Sequence, residues 1–102
     1  MIKDYKQCAM FMKALSDETR VKIYSMLAQG ELCACKILEE FNITQPTLSY
    51  HMKIMIDSGL VVSRRDGVWI RYSICSDKLQ AIIEMFNGVR EVIDSSSQIK
   101  RR

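Results

Sequence analysis

The spacing of apolar residues changes twice along the chain. From residue 4 to about residue 58, apolar side chains recur every three or four positions, which is the period of amphipathic helices. Between residues 60 and 74 they fall into two short runs that are typical of strands. Helical spacing returns from Asp77 to about Asp94. The pattern therefore predicts helices, then a hairpin, and then a last helix.

Capping residues divide the first part of the chain into four helices. The first helix is predicted over residues 4–15 and the third over residues 33–41. The second begins after Ser16 as its N-cap and ends at Gly30, and the fourth begins after Thr44 as its N-cap and ends at about Ser58. Pro46 suits the first turn of the fourth helix, and Gly59 stops it. The side chains expected to face inward are, helix by helix, Tyr5, Cys8, Met12 and Leu15; Val21, Tyr24, Leu27 and Ala28; Ile37, Leu38 and Phe41; and Leu48, Met52, Met55 and Ile56.

The hairpin completes a recognisable fold class. Residues 60–65 and 68–74 are the two strands, and Asp66 and Gly67 form the turn between them. Two short helices joined by a tight turn and followed by a hairpin make a winged helix-turn-helix. We therefore expect a mainly α protein with a small β-hairpin, in the order α-α-α-α-β-β-α. Residues 1–94 form one DNA-binding and dimerisation domain, and residues 95–102 form a polar, basic tail expected to be disordered.

The fourth helix and the hairpin present groups that suit DNA. The predicted contacts are Gln45, Thr47, Ser49, Tyr50 and Lys53 on the helix and Arg64, Arg65 and Arg71 on the wing. The net charge of +3 is mild, but residues 41–75 carry four positive and two negative charges. The alternative is an ordinary solvated helix face. His51 is expected to be half-buried and to position the helix, and Trp69 and Tyr72 are expected to pack.

Two cysteines mark a second candidate site. Cys33 and Cys35 flank Ala34 at the start of the short helix, where the helix end favours thiolates, and thiolates select soft ions. Residues two apart point to different sides of a helix, so holding one ion would require the first turn to be frayed or to unwind. The alternative is that two small residues simply pack there. Cys8 and Cys75 are candidates for a third ligand, although Cys8 lies on an apolar face.

Composition limits where the protein works. The N-terminal charges are followed by no apolar stretch, and no apolar run is long enough to span a membrane. We therefore expect a cytoplasmic protein whose four cysteines stay reduced and which needs no cofactor to fold. At 102 residues the domain buries a modest core, so dimerisation would help it.

Several sequence blocks occur in an order that resembles the ArsR/SmtB metalloregulatory repressors. They are residues 15–20 (L-S-D-E-T-R), 31–35 (E-L-C-A-C), 44–53 (T-Q-P-T-L-S-Y-H-M-K) and 59–61 (G-L-V). The resemblance covers about residues 10–75. It implies a homodimer held by the first and last helices, bound to an inverted-repeat operator and released by an inducer. It further implies the arsenic-sensing branch, with As(III) or Sb(III) bound by Cys33 and Cys35.

The chain also departs from relatives of this kind. Some arsenic sensors have a third cysteine where this chain has Leu38. Cadmium and lead sensors of this family use N-terminal cysteines. Cys8 therefore remains a candidate ligand, and Cd(II) and Pb(II) remain alternative inducers. Zinc sensors combine histidines with carboxylates of the last helix. Here that helix carries acidic residues but no histidine, which argues against zinc; the acids are Asp77, Glu84, Glu91 and Asp94.

Other classes of function remain as alternatives. The thiols could sense oxidants or reactive sulfur in the same DNA-binding domain. A third alternative is an enzyme with a redox dithiol, but the sequence has no phosphate loop and its one histidine lies on another helix. A fourth is a protein–protein adaptor, which would show no salt-dependent DNA affinity. For the dimer, we expect an interface that uses Tyr5, Met12, Ile82, Phe86 and Val89.

Overall fold

The computed structural model describes residues 4–99 and confirms the winged helix-turn-helix. Its elements are α1 (Tyr5–Ala14), α2 (Glu18–Met26), a single 3₁₀ turn (Leu27–Gln29), β1 (Leu32–Cys33), α3 (Ala34–Leu38), α4 (Gln45–Asp57), β2 (Val61–Asp66), β3 (Trp69–Ile74) and α5 (Ser76–Ile99). In this part of the chain no helix has both the length and the apolar character needed to cross a membrane.

Side-chain caps start the helices. The Thr44 hydroxyl accepts a hydrogen bond from the backbone N–H of Thr47 at 3.3 Å, which confirms the predicted start of α4. The predicted cap at Ser16 is wrong. Asp17 has the extended backbone of an N-cap, and its carboxylate accepts from the N–H of Arg20 at 3.2 Å. Ser16 instead donates to the carbonyl of Lys13 and so belongs to the end of α1.

The inward faces of α1 and α2 differ from those predicted. Both helices are rotated relative to the predicted stripes. The side chains they bury are Cys8, Phe11 and Ala14 from α1 and Arg20 and Ile23 from α2. Consequently Tyr5, Met12 and Val21 are exposed. The periodicity misplaced α2 because Arg20 was counted as polar, yet its guanidinium finds acceptors inside the fold.

A single core holds α1 to α4 and the base of the wing. Its fully buried side chains are Phe11, Ile23, Ile37, Leu48, Met52, Met55, Leu60 and Val61. The predicted stripe of α4 is confirmed at Leu48, Met52 and Met55, whereas Ile56 lies at the edge of the core. Most apolar side chains of α5 lie outside this core.

The wing is a three-stranded antiparallel sheet in the order β1-β3-β2. Asp66 pairs with Trp69, so the turn is formed by Gly67 and Val68 rather than by Asp66 and Gly67. Gly67 has a φ of 66°, and a turn with positive φ at its first central residue only is of type II′, which suits strand twist. Strand β1 was not predicted, because two residues are too few to show alternation.

The last helix is longer than predicted. It continues past Asp94 to Ile99, so the first part of the tail expected to be disordered is helical. The serines after Asp94 weaken a helix only slightly, and neither glycine nor proline interrupts this part of the chain. Residues 100–102 of the predicted tail lie outside the described residues.

Candidate DNA-binding surface and thiol site

One face of α4 is open to solvent. Leu48, Met52 and Met55 hold the other face against the core. The residues left exposed include all five that the sequence assigned to DNA contacts on this helix, namely Gln45, Thr47, Ser49, Tyr50 and Lys53. Short polar groups, an aromatic ring and a cation on one exposed face can reach base edges and phosphates in a major groove.

A buried arginine fixes the orientation of α4. The Arg20 guanidinium donates through Nε to the carbonyl of Ala14 at 2.6 Å and through Nη1 to Nδ1 of His51 at 3.0 Å. Arginine can only donate, so Nδ1 of His51 is the acceptor in this hydrogen bond. The Asp17 carboxylate lies 4.0 Å from the same ring nitrogen. His51 is half-buried and hydrogen-bonded, as predicted, whereas its partner Arg20 was not predicted.

Two of the three predicted wing arginines are paired with carboxylates. Arg64 and Arg71 lie directly opposite each other on neighbouring strands, where like charges repel. Glu31 binds Arg64 through both oxygens, at 2.7 and 2.8 Å, and Asp66 binds Nε of Arg71 at 2.8 Å. The hydrogen bonds from Arg64 and Arg71 lower the pKa values of Glu31 and Asp66 respectively.

The two remaining predicted cations, Arg65 and Lys53, differ in whether a carboxylate is paired with them. Arg65 is exposed and has no carboxylate partner within residues 4–99. Lys53 forms an exposed ion pair with Asp57 one turn along α4, at 3.1 Å. Arg65 is therefore the wing arginine that is most readily available to a phosphate.

The two predicted thiols lie together. Their Sγ atoms are 2.7 Å apart, and both cysteines are free. Cys33 is the N-cap of α3 with an extended backbone, φ −71° and ψ 145°, and its sulfur accepts from the N–H of Cys35. Cys33 thus lies outside the regular helix, in line with the first of the two expected arrangements, a frayed first turn, and its extended conformation turns its side chain towards Cys35. The regular part of α3 does not have to unwind to bring the sulfurs together.

The pKa values of the two neighbouring thiols are shifted in opposite directions. The hydrogen bond from Cys35 lowers the pKa of the Cys33 thiol, and the charge of Arg71 adds to this effect. The same hydrogen bond raises the pKa of Cys35, with burial as the next cause. Cys33 is therefore the more acidic thiol of the pair, and an incoming ion that binds both sulfurs would displace their protons.

The other two cysteines are separate from this pair. Cys8 is buried on α1, and Cys75 precedes α5. Across residues 4–99, no three side chains of the types His, Cys, Asp and Glu are arranged to hold a metal ion. Within one chain, the thiol site therefore offers two sulfur ligands.

Sequence reasoning missed the carboxylates of this region. Glu31 stands two residues before Cys33 within the E-L-C-A-C block, but its partner Arg64 is 33 residues away. Asp66 was assigned to the hairpin turn rather than to Arg71. The only signal available was the alternation of the wing strands, which places residues 64, 66 and 71 on one face.

The fold and the exposed face of α4 define a winged helix-turn-helix DNA-binding protein. The family model described as "Bacterial regulatory protein, arsR family" matches residues 17–63. The arsenical resistance operon repressor of Staphylococcus aureus is 43% identical over 94 residues, covering 92% of this chain and 86% of the relative. The repressor of the same name from Staphylococcus xylosus is 40% identical with the same coverage.

A solved structure supports the same fold. The crystal structure of an ArsR family transcriptional regulator superposes with a TM-score of 0.84 at 21% identity, covering 93% of this chain and 98% of the other. The chain belongs to the ArsR family. It is a DNA-binding transcriptional regulator rather than an enzyme.

Proposed function

We propose that this protein is a dimeric, operator-binding repressor that leaves DNA when As(III) or Sb(III) binds the sulfurs of Cys33 and Cys35. The observation that carries the proposal is the 2.7 Å separation of two free sulfurs, next to a winged helix. Thiolates are the ligands that soft ions prefer. Relatives named as arsenical resistance operon repressors, at 43% and 40% identity, support the choice of ion.

DNA binding is assigned to α4 and the wing. In this proposal α4 enters the major groove, with Gln45, Thr47, Ser49 and Tyr50 towards the bases. Lys53 and the wing arginines neutralise phosphates, which makes the affinity strongly dependent on salt. Such a protein works in the cytoplasm, where the DNA is.

The dimer follows from the apolar surface of the outer helices. Tyr5 and Met12 on α1 are 76% and 44% exposed, and Phe86 and Val89 on α5 are 54% and 50% exposed. Large apolar side chains exposed on two helices favour burial against a partner, because soluble monomers rarely expose large contiguous apolar patches. A second copy that covers these residues presents a second α4, as an inverted-repeat operator requires. Ile82, also expected in the interface, packs partly against the chain's own core.

Two thiolates leave one position of a three-coordinate ion open. Cys8, Cys75 or a small exogenous ligand could complete it. Cd(II) and Pb(II) are alternative inducers because they also bind thiolates. Individual Cys8→Ser and Cys75→Ser variants identify a third protein ligand by the weakened response.

A second candidate function rests on the same sulfurs. A peroxide could oxidise the Cys33 thiolate to a sulfenic acid and release hydroxide. The Cys35 thiol would then attack that sulfur and form a disulfide; the thiol proton leaves with the sulfenic hydroxyl as water, and the hydroxide from the first step passes to solvent. The lowered pKa of Cys33, caused mainly by the hydrogen bond from Cys35, favours this first attack.

One titration separates the two candidates. The protein is bound to a labelled duplex selected from a random pool, and the anisotropy of the label is followed under excess reductant. The proposed function predicts release at about one equivalent of As(III) per protomer, since each chain holds one thiol pair. Release that requires peroxide and is reversed by reductant would contradict it and support the redox sensor.

A further inference from the structure

The segment 31–35, which carries both thiols, is attached to the wing at two points. Its backbone pairs with β3, where Cys33 lies opposite Arg71. Its first residue, Glu31, holds Arg64 of β2 through two hydrogen bonds. A change in the position of the thiol segment therefore reaches both strands of the hairpin.

The bond between Glu31 and Arg64 occupies donors that a phosphate would use. Arginine binds carboxylates and phosphates in the same way, with two parallel N–H groups. The side chain of Arg64 is 57% exposed and that of Glu31 is 31% exposed, so this pair is accessible from solvent. Glu31 and a DNA phosphate thus compete for one guanidinium.

Arg64 differs from the other wing arginines in where its partner lies. Asp66, the partner of Arg71, belongs to the hairpin itself and moves with it. Arg65 has no carboxylate partner in the described part of the chain. Among these three arginines, Arg64 alone has its guanidinium bound by a side chain of the segment that carries the thiols.

We propose that Glu31 is a positioning residue that competes with DNA phosphate for Arg64, so that the thiol segment controls one backbone contact of the wing. This inference rests on the proposed function. With an ion on the thiols, segment 31–35 is fixed and Glu31 keeps Arg64 from the DNA. Without the ion, the pair still forms, but segment 31–35 can move and a DNA phosphate displaces Glu31 from Arg64. The coupling is reciprocal, so DNA that takes Arg64 weakens ion binding.

The test uses Glu31→Gln, which keeps the shape of the side chain and removes its charge. DNA affinity of the ion-free protein is measured over a salt series. We expect about two- to fivefold tighter binding, because an exposed ion pair is weak, and a salt slope steeper by up to about one unit. As(III) should then weaken DNA binding by a smaller factor than in the wild-type protein.

Two further variants show whether Glu31 acts through Arg64. In an Arg64→Gln background, Glu31→Gln should change neither the affinity nor the salt slope. Asp57→Asn is the matched control, because it frees Lys53 from an exposed ion pair on α4. Neither partner of that pair belongs to segment 31–35, so the factor by which As(III) weakens DNA binding should equal the wild-type factor.

The outcomes are distinct. Unchanged or weaker DNA binding by Glu31→Gln would overturn the proposal, as would an effect of equal size in the Arg64→Gln background. The proposal would also be overturned if Asp57→Asn reduced the As(III) response as much as Glu31→Gln does. If As(III) fails to release wild-type protein, the proposed inducer is wrong, while the ion-free salt series still decides whether Glu31 withholds Arg64.

Discussion

Helix α4 and the thiol segment 31–35 are held in the fold by different forces. Helix α4 is anchored by Leu48, Met52 and Met55, each at most 1% exposed. Segment 31–35 buries one small side chain, Cys33 at 5% exposed, and packs Leu32 and Ala34 only partly against the core. Its other attachments are a two-residue strand and the exposed ion pair between Glu31 and Arg64. Buried apolar side chains stabilise a fold strongly, whereas exposed ion pairs contribute little.

This difference matches the two tasks that the proposed function assigns. A reader of DNA must keep its shape, and α4 is fixed by the core and by the bond from Arg20 to His51. A sensor must change when it binds, and elements that move come from the less stable parts of a structure. The thiols already lie together, so we expect the change to be a small shift of segment 31–35 against the wing.

The largest effect is expected from breaking the proposed dimer, which presents two copies of α4 together. Phe86→Glu places a charge in the exposed apolar surface of α5, and we expect a monomer by sedimentation. Losing the second α4 should weaken operator binding by about 10²-fold or more. Asn87→Glu adds the same charge at the neighbouring polar position and should leave the dimer intact. A dimeric Phe86→Glu protein would place the interface elsewhere.

The anchoring of α4 predicts the next largest effect. Leu48→Ala leaves a cavity in the core and should lower the free energy of unfolding by about 2–5 kcal/mol. Urea unfolding followed by circular dichroism measures the change. Ser49→Ala, on the exposed side of the same turn, should change it by less than about 0.5 kcal/mol. Equal losses for both variants would show that α4 is not anchored by its apolar face.

The cap of α4 should have an intermediate effect. Thr44→Ala removes the hydroxyl that accepts from the N–H of Thr47 and should cost about 1 kcal/mol of stability. Thr44→Ser retains the hydroxyl and should stay close to the wild-type protein in the same urea experiment. If both substitutions cost the same, the hydroxyl does not cap the helix.

The smallest effect is a difference between two neighbouring arginines of the wing. Arg65→Ala should flatten the salt dependence of DNA binding by about one unit, since it removes an available cation. Arg64→Ala should flatten it less, because Glu31 already occupies that guanidinium for part of the time. Equal slopes for the two variants would show that the ion pair does not limit access to Arg64.

Much of α4 could be predicted because its signals are local. Thr44, Pro46 and the stripe from Leu48 to Met55 lie within a few turns of one another and define the start and the buried face. The hairpin was found from alternation, although its turn was shifted by one residue. The error at Ser16 is also local, since two adjacent residues could both cap α2 and only the backbone decides between them.

The thiol site could be predicted only in part because it is built from distant segments. The E-L-C-A-C block identified Cys33 and Cys35, but their proximity depends on the extended backbone of Cys33, which pairs with β3. The partners of Arg64 and Arg71 depend on strand register, which no residue spacing reveals. Arg20 was missed because an arginine becomes buried only when acceptors surround it.

The role of the thiol pair is tested by DNA release with As(III) under excess reductant, compared between the wild-type protein and the Cys33→Ser, Cys35→Ser and double variants. Serine keeps the size of the side chain but provides no soft thiolate. We expect every variant to bind DNA nearly as tightly as the wild-type protein, and none to be released at As(III) concentrations that release the wild-type protein completely. Release of the double variant at those concentrations would show that Cys33 and Cys35 are not the sensor.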